Sequence, residues 1–305
     1  MPLTVATCQF PVSAAPRQNL RHIVRLLRIA RDRGAQLAHF PECALSGYAG
    51  VDLPSYRGYD WTEHEACARE VMAAAAAHKL WVVLGAAHRL SGRHKPHNSL
   101  YIIDDRGQLV DRYDKMFCAS GPDGKGVELA HFTPGDHLCL FSVGGVRCGA
   151  LICHEYRYPE LYRAYKQRGA QLVLHSFHAG NLTPARHEAL RAQVGEGLAR
   201  VNHGATLPEI TMRAGMHASA SNNYVWISCA NTSARESCWS AFMVRPDGVI
   251  TGQLRRNTAG ALLTRVDPRA RFYDSTVAWR DRAMRGVLHS GALVDDPRSA
   301  DRTRL

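Results

Sequence analysis

Three short segments each place a reactive or ionisable side chain where a strand is expected to run out: His39-Phe40-Pro41-Glu42, Arg112-Tyr113-Asp114-Lys115 and Leu151-Ile152-Cys153-His154-Glu155. A carboxylate, an ammonium and a thiol brought together would supply a base, a cationic stabiliser and a nucleophile. The thiolate is the attacking form of cysteine, and a nearby ammonium favours it. Taken singly, each residue has a plainer reading: a loop glutamate, a solvated lysine, a core cysteine. Convergence is what would make them a site, and in α/β folds residues converge in the loops beyond strand ends.

The elements that must do this positioning follow from pattern. Leu3 to Phe10 reads as a buried strand halted by Pro11. Pro16 to Arg33 carries Leu20, Ile23, Val24, Leu27 and Ala30 at helical spacing, and Gly34 supplies the stop. Gln36 to Phe40 is a second strand. Thr62 is the expected N-cap of an alanine-rich helix to about Lys79, with Glu63 and Glu65 in its first turn. Trp81 to Ala87 is a third strand, and Asn98 to Asp104 with Gln108 to Tyr113 forms a hairpin about Asp105-Arg106-Gly107. Leu138 to Val143 and Val146 to Cys153 flank Gly144-Gly145, a two-residue hairpin signal. A helix from about Pro159 to Gly169, a strand from Gln171 to Phe177, two helical segments reaching about Asn222 and a strand from Tyr224 to Ala230 follow. Ser240 to Val244, Val249 to Leu254 and Ala261 to Val266 are expected to finish a sheet, with Pro246-Asp247-Gly248 as a turn. Hairpins alongside crossovers predict an α/β fold with mixed sheets, one domain over residues 1–267 and a charged tail over 268–305.

Composition narrows the function classes. With 46% hydrophobic and 21% charged residues in 305, the chain can bury a full-sized core, which excludes a disordered or disulfide-stapled chain. No apolar run approaches the ~20 residues of a membrane-spanning helix. The opening MPLTVATCQF has no basic stretch followed by a long apolar one, so the expected location is the cytoplasm. The net charge of +11 comes almost wholly from arginines scattered along the chain, which reads as solvated surface and not as a nucleic-acid face. Nine cysteines without paired CxxC spacing, and sixteen histidines without an HExxH pair, give no metal signature.

Together the segments resemble the carbon–nitrogen hydrolase (nitrilase) superfamily over about Leu3 to Val266. The resemblance rests on Val5-Ala6-Thr7-Cys8-Gln9, on Phe40-Pro41-Glu42 followed by Ser46-Gly47-Tyr48, and on Tyr113-Asp114-Lys115. It continues through Glu128-Leu129-Ala130-His131-Phe132-Thr133-Pro134-Gly135 and the run Ile152 to Arg163 around Cys153, with Pro246-Asp247-Gly248 as a late turn. It implies a single-domain α-β-β-α sandwich, with Glu42 as general base, Lys115 as stabiliser of the tetrahedral intermediate, Cys153 as nucleophile and Glu128 as the glutamate that orients the site. It implies no metal and no cofactor, and a homodimer or larger homo-oligomer with the 268–305 tail as an oligomer or surface contact. One segment departs from the family pattern. Where Arg-Ala-x-Glu/Asp-Asn is common, this chain has Ser219-Ala220-Ser221-Asn222-Asn223.

Within the superfamily, nitrilases commonly carry tryptophan after the nucleophile. Here it is His154, which points to a small amide or N-carbamoyl substrate, with a nitrile or a catalytically inactive binding protein as the alternatives. Arg157 sits where some relatives hold a substrate carboxylate, and Tyr48, Phe117, His154, Ser176 and Phe177 are the other expected pocket residues. His178 either joins them or is a solvated loop histidine, the plainer of the two readings. The stretch from Ala179 to His217 is longer than in compact members and is expected to shape the pocket or an oligomer contact, or to be a surface insertion.

Overall fold

Apolar residues alternate along the first strand because both of its faces are covered. In the computed structural model, which describes residues 2–120 and 123–304, the elements run in the order β1 (Leu3–Gln9), α1 (Pro16–Asp32), β2 (Leu37–His39), α2 (Trp61–His78), β3 (Trp81–His88), β4 (His97–Ile103) and β5 (Leu109–Asp114). The second half comprises β6 (Leu140–Val143), β7 (Val146–Ile152), α3 (Pro159–Gln167), β8 (Leu172–Ser176), α4 (Pro184–Ala192), α5 (Glu196–Asn202), α6 (Leu207–Asn223), β9 (Trp226–Ala230), β10 (Phe242–Val244), β11 (Ile250–Gln253) and β12 (Gly260–Val266). Two short helices, α7 (Arg280–Met284) and α8 (Pro297–Ala300), lie in the tail.

The strands form two six-stranded mixed sheets, ordered β12-β1-β2-β3-β4-β5 and β11-β10-β9-β8-β7-β6. On β1, Ala6 and Cys8 join the core under α1 and α2, whereas Leu3 and Val5 face the core between the sheets. This is the two-residue period of a strand buried on both sides. Helix α1 buries Leu20, Ile23, Leu26, Leu27 and Ala30, and α3 buries Leu161, Tyr162 and Tyr165. The result is a four-layer α-β-β-α sandwich. Among the described residues no helix is long and apolar enough to cross a membrane.

Three expectations are corrected. The N-cap of α2 is Asp60, whose Oδ1 accepts the Glu63 amide at 2.9 Å, so Thr62 lies inside the helix. The final three strands do not finish one sheet. β10 and β11 extend the second, while β12 pairs antiparallel with β1 from Leu3↔Val266 to Gln9↔Gly260 in the first. Hydrophobic pattern marks a strand but carries no address for its partner, and the chain crosses between the layers after β11. The long stretch before β9 holds three helices where two segments were expected.

The tail stays against the second sheet's helix layer for part of its length. The Phe272 amide donates to the Tyr224 hydroxyl at 2.9 Å, Arg280 grips both Asp274 carboxylate oxygens, and Gln167 Nε2 donates to the Met284 carbonyl at 3.0 Å. Leu288, Leu293 and Val294 beyond it are exposed.

Candidate active site

Register brings the three segments together. The parallel pairs β7–β8 and β8–β9 run level, ending Ile152↔Ser176 and Ser176↔Ala230, so Cys153 and Phe177 emerge side by side. In the other sheet β2 ends at His39 and β5 at Asp114, releasing Glu42 and Lys115 at the same end. The chain beyond β2 lies directly on β3. A Cβ on Gly85 would stand 2.0 Å from the Pro41 carbonyl oxygen and 2.7 Å from the Cys43 nitrogen, so only glycine admits this turn. The turn is bridged to the opposite sheet by the Glu42 amide, which donates to the Phe177 carbonyl at 3.3 Å.

Glu42, Lys115 and Glu128 are buried together. Lys115 Nζ donates to Glu42 Oε1 at 3.0 Å and to Glu128 Oε1 at 2.7 Å. Asn98, facing Lys115 across the β4–β5 ladder, donates from Nδ2 to the same two oxygens at 2.7 and 3.3 Å. Glu128 Oε2 accepts the Ala119 amide, and the Tyr48 hydroxyl lies beside this carboxylate. Glu42 Oε2 is buried and has no hydrogen-bond partner among the described residues. One oxygen of Glu42 is therefore fixed by two donors and the other is free to take a proton.

Burial, together with the charges of the cluster, sets the resting state of the thiol. Burial disfavours the Lys115 ammonium, yet Glu128 and Glu42 hold its pKa well above the usual lysine value. Burial would raise Glu128, but the Lys115 charge and hydrogen bond bring it below the usual carboxylate value. Two carboxylates against one ammonium leave a net negative site. Burial first, then Glu42, push the Cys153 thiol well above its ordinary pKa, with Lys115 and the His178 backbone amide opposing. A thiol so placed is protonated at rest and loses its proton only to an acceptor within the site.

Cys153 is partly exposed and has φ of 46°, a conformation a non-glycine residue adopts at a cost of about 1–3 kcal/mol. It opens the short 3₁₀ helix Cys153–Arg157 that follows strand β7. Two buried residues hold this turn. His175 donates from Nε2 to the Cys153 carbonyl at 3.1 Å while Nδ1 accepts the Tyr162 hydroxyl at 2.6 Å, and burial drives its pKa down to about 3, so it stays neutral. Glu155 accepts the Ile152 amide at 2.7 Å on one oxygen, and the Tyr113 hydroxyl, Met116 amide and Phe117 amide at 2.7, 2.8 and 3.2 Å on the other. One carboxylate thus ties the end of the nucleophile strand to the loop that follows Lys115.

The expected pocket residues fall in different places. Tyr48 stands beside Glu128 and stacks on His178 with ring centroids 5.2 Å apart. Phe117 stacks on Tyr158 at 4.1 Å, and His154 Nε2 is 3.4 Å from the Tyr158 hydroxyl. Phe177 is buried against His175 and Trp239. Arg157 is exposed, with its guanidinium 4.9 Å over the Tyr156 ring. Ser176 is corrected: its hydroxyl bonds His39 Nε2 at 2.8 Å and the Phe40 carbonyl at 2.8 Å, inside a polar chain that continues through His39 to Ser228 and Thr7 between the sheets. His178 is also corrected. Its side chain is buried, with Nε2 3.2 Å from Asp52 Oδ2. Asn98, Glu155, His175 and Asp52 carried no sequence signal that separated them from ordinary strand and loop residues. Among the described residues no group of three His, Cys, Asp or Glu side chains is arranged to hold a metal ion.

A four-layer sandwich with a thiol at one strand end and a carboxylate–ammonium–carboxylate cluster at the facing ends defines a nitrilase-superfamily architecture. Residues 4–273 match the carbon-nitrogen hydrolase family, and the chain belongs to it. It is similar to an omega-amidase of Bos taurus, 30% identical over 193 residues that make up 61% of this chain and 68% of the relative. It is also similar to nitrilase homolog 2 of Dictyostelium discoideum, 26% identical over 179 residues, or 57% of this chain. That match spans 54%, about half, of the relative's length. The fold is that of an amidase from Nesterenkonia sp., with a TM-score of 0.69 at 22% identity, covering 94% of this chain and 96% of the other.

Proposed function

We propose that this protein hydrolyses the C–N bond of a small amide or N-carbamoyl compound through a thioester on Cys153. Glu42 takes the thiol proton as sulfur attacks the carbonyl carbon, and Lys115 with the His154 backbone N–H stabilises the oxygen anion that forms. Collapse of the tetrahedral intermediate breaks the C–N bond as the protonated Glu42 gives its proton to the leaving nitrogen, releasing ammonia or an amine. Glu42 then deprotonates a water that attacks the thioester. The carboxylic acid leaves, and the proton returns to Cys153. Glu128 holds Lys115 and, beside Tyr48, orients the site.

The observation that carries this reading is the division of labour on Glu42: Oε1 is held by Lys115 and Asn98, whereas Oε2 is buried without a hydrogen-bond partner among the described residues. A carboxylate serving only as a salt-bridge partner has no reason to leave one oxygen unpaired in a buried site. The omega-amidase relative supports an amide over a nitrile, as does His154 in place of tryptophan. Tyr48, Phe117, His154, Arg157 and Phe177 remain the candidates for contact with the substrate's remaining groups.

Matched amides, N-carbamoyl compounds and nitriles of the same carbon skeleton, assayed for released ammonia, test the reading. Amide-type partners are expected to show the higher kcat/KM. One misplaced oxyanion donor is worth about 2.7–4 kcal/mol, or ~10²–10³ in rate, so the difference is measurable. Nitriles winning across several skeletons would replace the amidase reading with a nitrilase one. The reading includes a homodimer or larger assembly that uses α3 and the tail, and light scattering showing only a ~34 kDa species at micromolar concentration would remove that part.

A further inference from the structure

A second concave site lies apart from Cys153. It is a cavity of about 340 Å³ whose walls come from three separate stretches: residues 55–61, the β3–β4 connection 89–96, and residues 130–131. Its lining includes Arg57, Arg89, Arg93, His94, Lys95 and His131, and no aspartate or glutamate. Among the described residues none of these six groups forms an ion pair. Arginines without a carboxylate partner also stand elsewhere on the surface, so what marks this site is the gathering of six basic groups around one concavity. Cations gathered in a concavity repel one another, and the low-dielectric wall focuses their field. Guanidinium forks from two directions match the geometry of phosphoryl and carboxylate oxygens.

We propose that this cavity binds a small multivalent oxyanion, a ligand distinct from the amide substrate. The floor of the site is well braced. Lys95 Nζ donates to the Leu129 carbonyl at 2.6 Å, the Thr133 amide donates to the Pro96 carbonyl at 2.8 Å, and the Thr133 hydroxyl donates to the Lys95 carbonyl at 2.8 Å. These bonds lace the Lys95–Pro96 end of the β3–β4 connection to the residues that follow Glu128, while Arg57, Arg89 and Arg93 are exposed around the cavity. Glu42, Lys115, Glu128 and Cys153 do not line it. The site therefore stands or falls independently of the hydrolytic reading.

The test is calorimetric titration of the full chain with pyrophosphate and, in parallel, with citrate, at low ionic strength. The expected result is saturable binding of one anion per chain, weakened tenfold or more in Arg89→Gln/Arg93→Gln. Tighter binding of pyrophosphate assigns a phosphoryl ligand, and tighter binding of citrate assigns a polycarboxylate. Because the whole chain is strongly basic, Arg200→Gln/Arg298→Gln serves as a control that removes the same charge from exposed positions elsewhere, and its affinity should change less than twofold. Equal weakening in both double variants, or a titration that never saturates, would mean that the net charge alone attracts anions and would overturn the proposal. Protein alkylated at Cys153 with iodoacetamide should bind as tightly as untreated protein. Loss of binding on alkylation would place the anion in the Cys153 site and equally overturn it.

Discussion

Glu155 offers a stability measurement whose sign follows from its surroundings. It is fully buried, and among the described residues its hydrogen-bond partners are neutral donors, none of them a cation. Burial lifts its pKa from an ordinary 4.5 to about 7, even though the Tyr113 hydroxyl and the Ile152 amide oppose the rise. The folded protein therefore holds a proton on Glu155 between pH 4.5 and 7 that the unfolded chain has released. A raised carboxyl pKa stabilises the fold most below the unfolded value, and that contribution is lost as pH rises through the folded one. The whole shift corresponds to roughly 3 kcal/mol, most of which disappears between pH 5 and pH 8. Glu155→Gln keeps the size of the side chain and removes the titration. Urea denaturation of both proteins at pH 5, 6, 7 and 8 isolates the effect, since every other titrating group cancels in the difference. Relative to the variant, the wild-type protein should lose roughly 2–3 kcal/mol across that range. Parallel profiles, or a wild-type protein that gains on the variant as pH rises, would show that the four donors outweigh burial and that the reasoning has the wrong sign.

Three further perturbations probe the site. Asn98→Ala removes one donor from both Glu42 and Glu128; hydrogen bonds to charged groups contribute about 1.5–3 kcal/mol, so kcat/KM should fall ~10–100-fold while the urea midpoint moves modestly. Unchanged turnover would mean that Lys115 alone positions Glu42. Gly85→Ala drives a methyl group into the Pro41 carbonyl, so it should both destabilise the fold and displace Glu42; a variant with full activity would show that the turn can shift at no cost to catalysis. Cys153→Ala should abolish ammonia release and leave the circular dichroism spectrum and urea midpoint near those of the wild type, and iodoacetamide should label Cys153 in step with inactivation. Residual turnover in this variant would move the nucleophile elsewhere.

The parts of the site legible in the sequence are those where a chemically capable residue ends a strand. Glu42, Lys115 and Cys153 each follow the end of a strand within a few residues, so the strand topology gathers them at one end. Glu128 has no such cue and rested on the resemblance of the segment around it. Asn98 was invisible because an asparagine near the start of a strand looks like any polar boundary, and its value depends on a β4–β5 register that sets it across from Lys115. Ser176 misled for the converse reason. It ends a strand beside Cys153, but alternation turns its hydroxyl between the sheets toward His39. His178 looked solvated because its partner, Asp52, is 126 positions earlier in the chain. Sheet membership of β12 was hidden in the same way: a strand's pattern states that it is buried and leaves open which edge it joins.

The most direct measurement is acid-quenched mass spectrometry of the Cys153 peptide during turnover of a small amide. The expected spectrum shows the peptide heavier by the acyl group alone, and in the first turnover, before the thioester is hydrolysed, one equivalent of ammonia is released per acylated chain. In Glu42→Gln neither the adduct nor the ammonia should build up at the wild-type rate, because the thiol has lost its proton acceptor. An acyl group found on another residue, or ammonia released from the Cys153→Ala protein, would contradict hydrolysis through a Cys153 thioester.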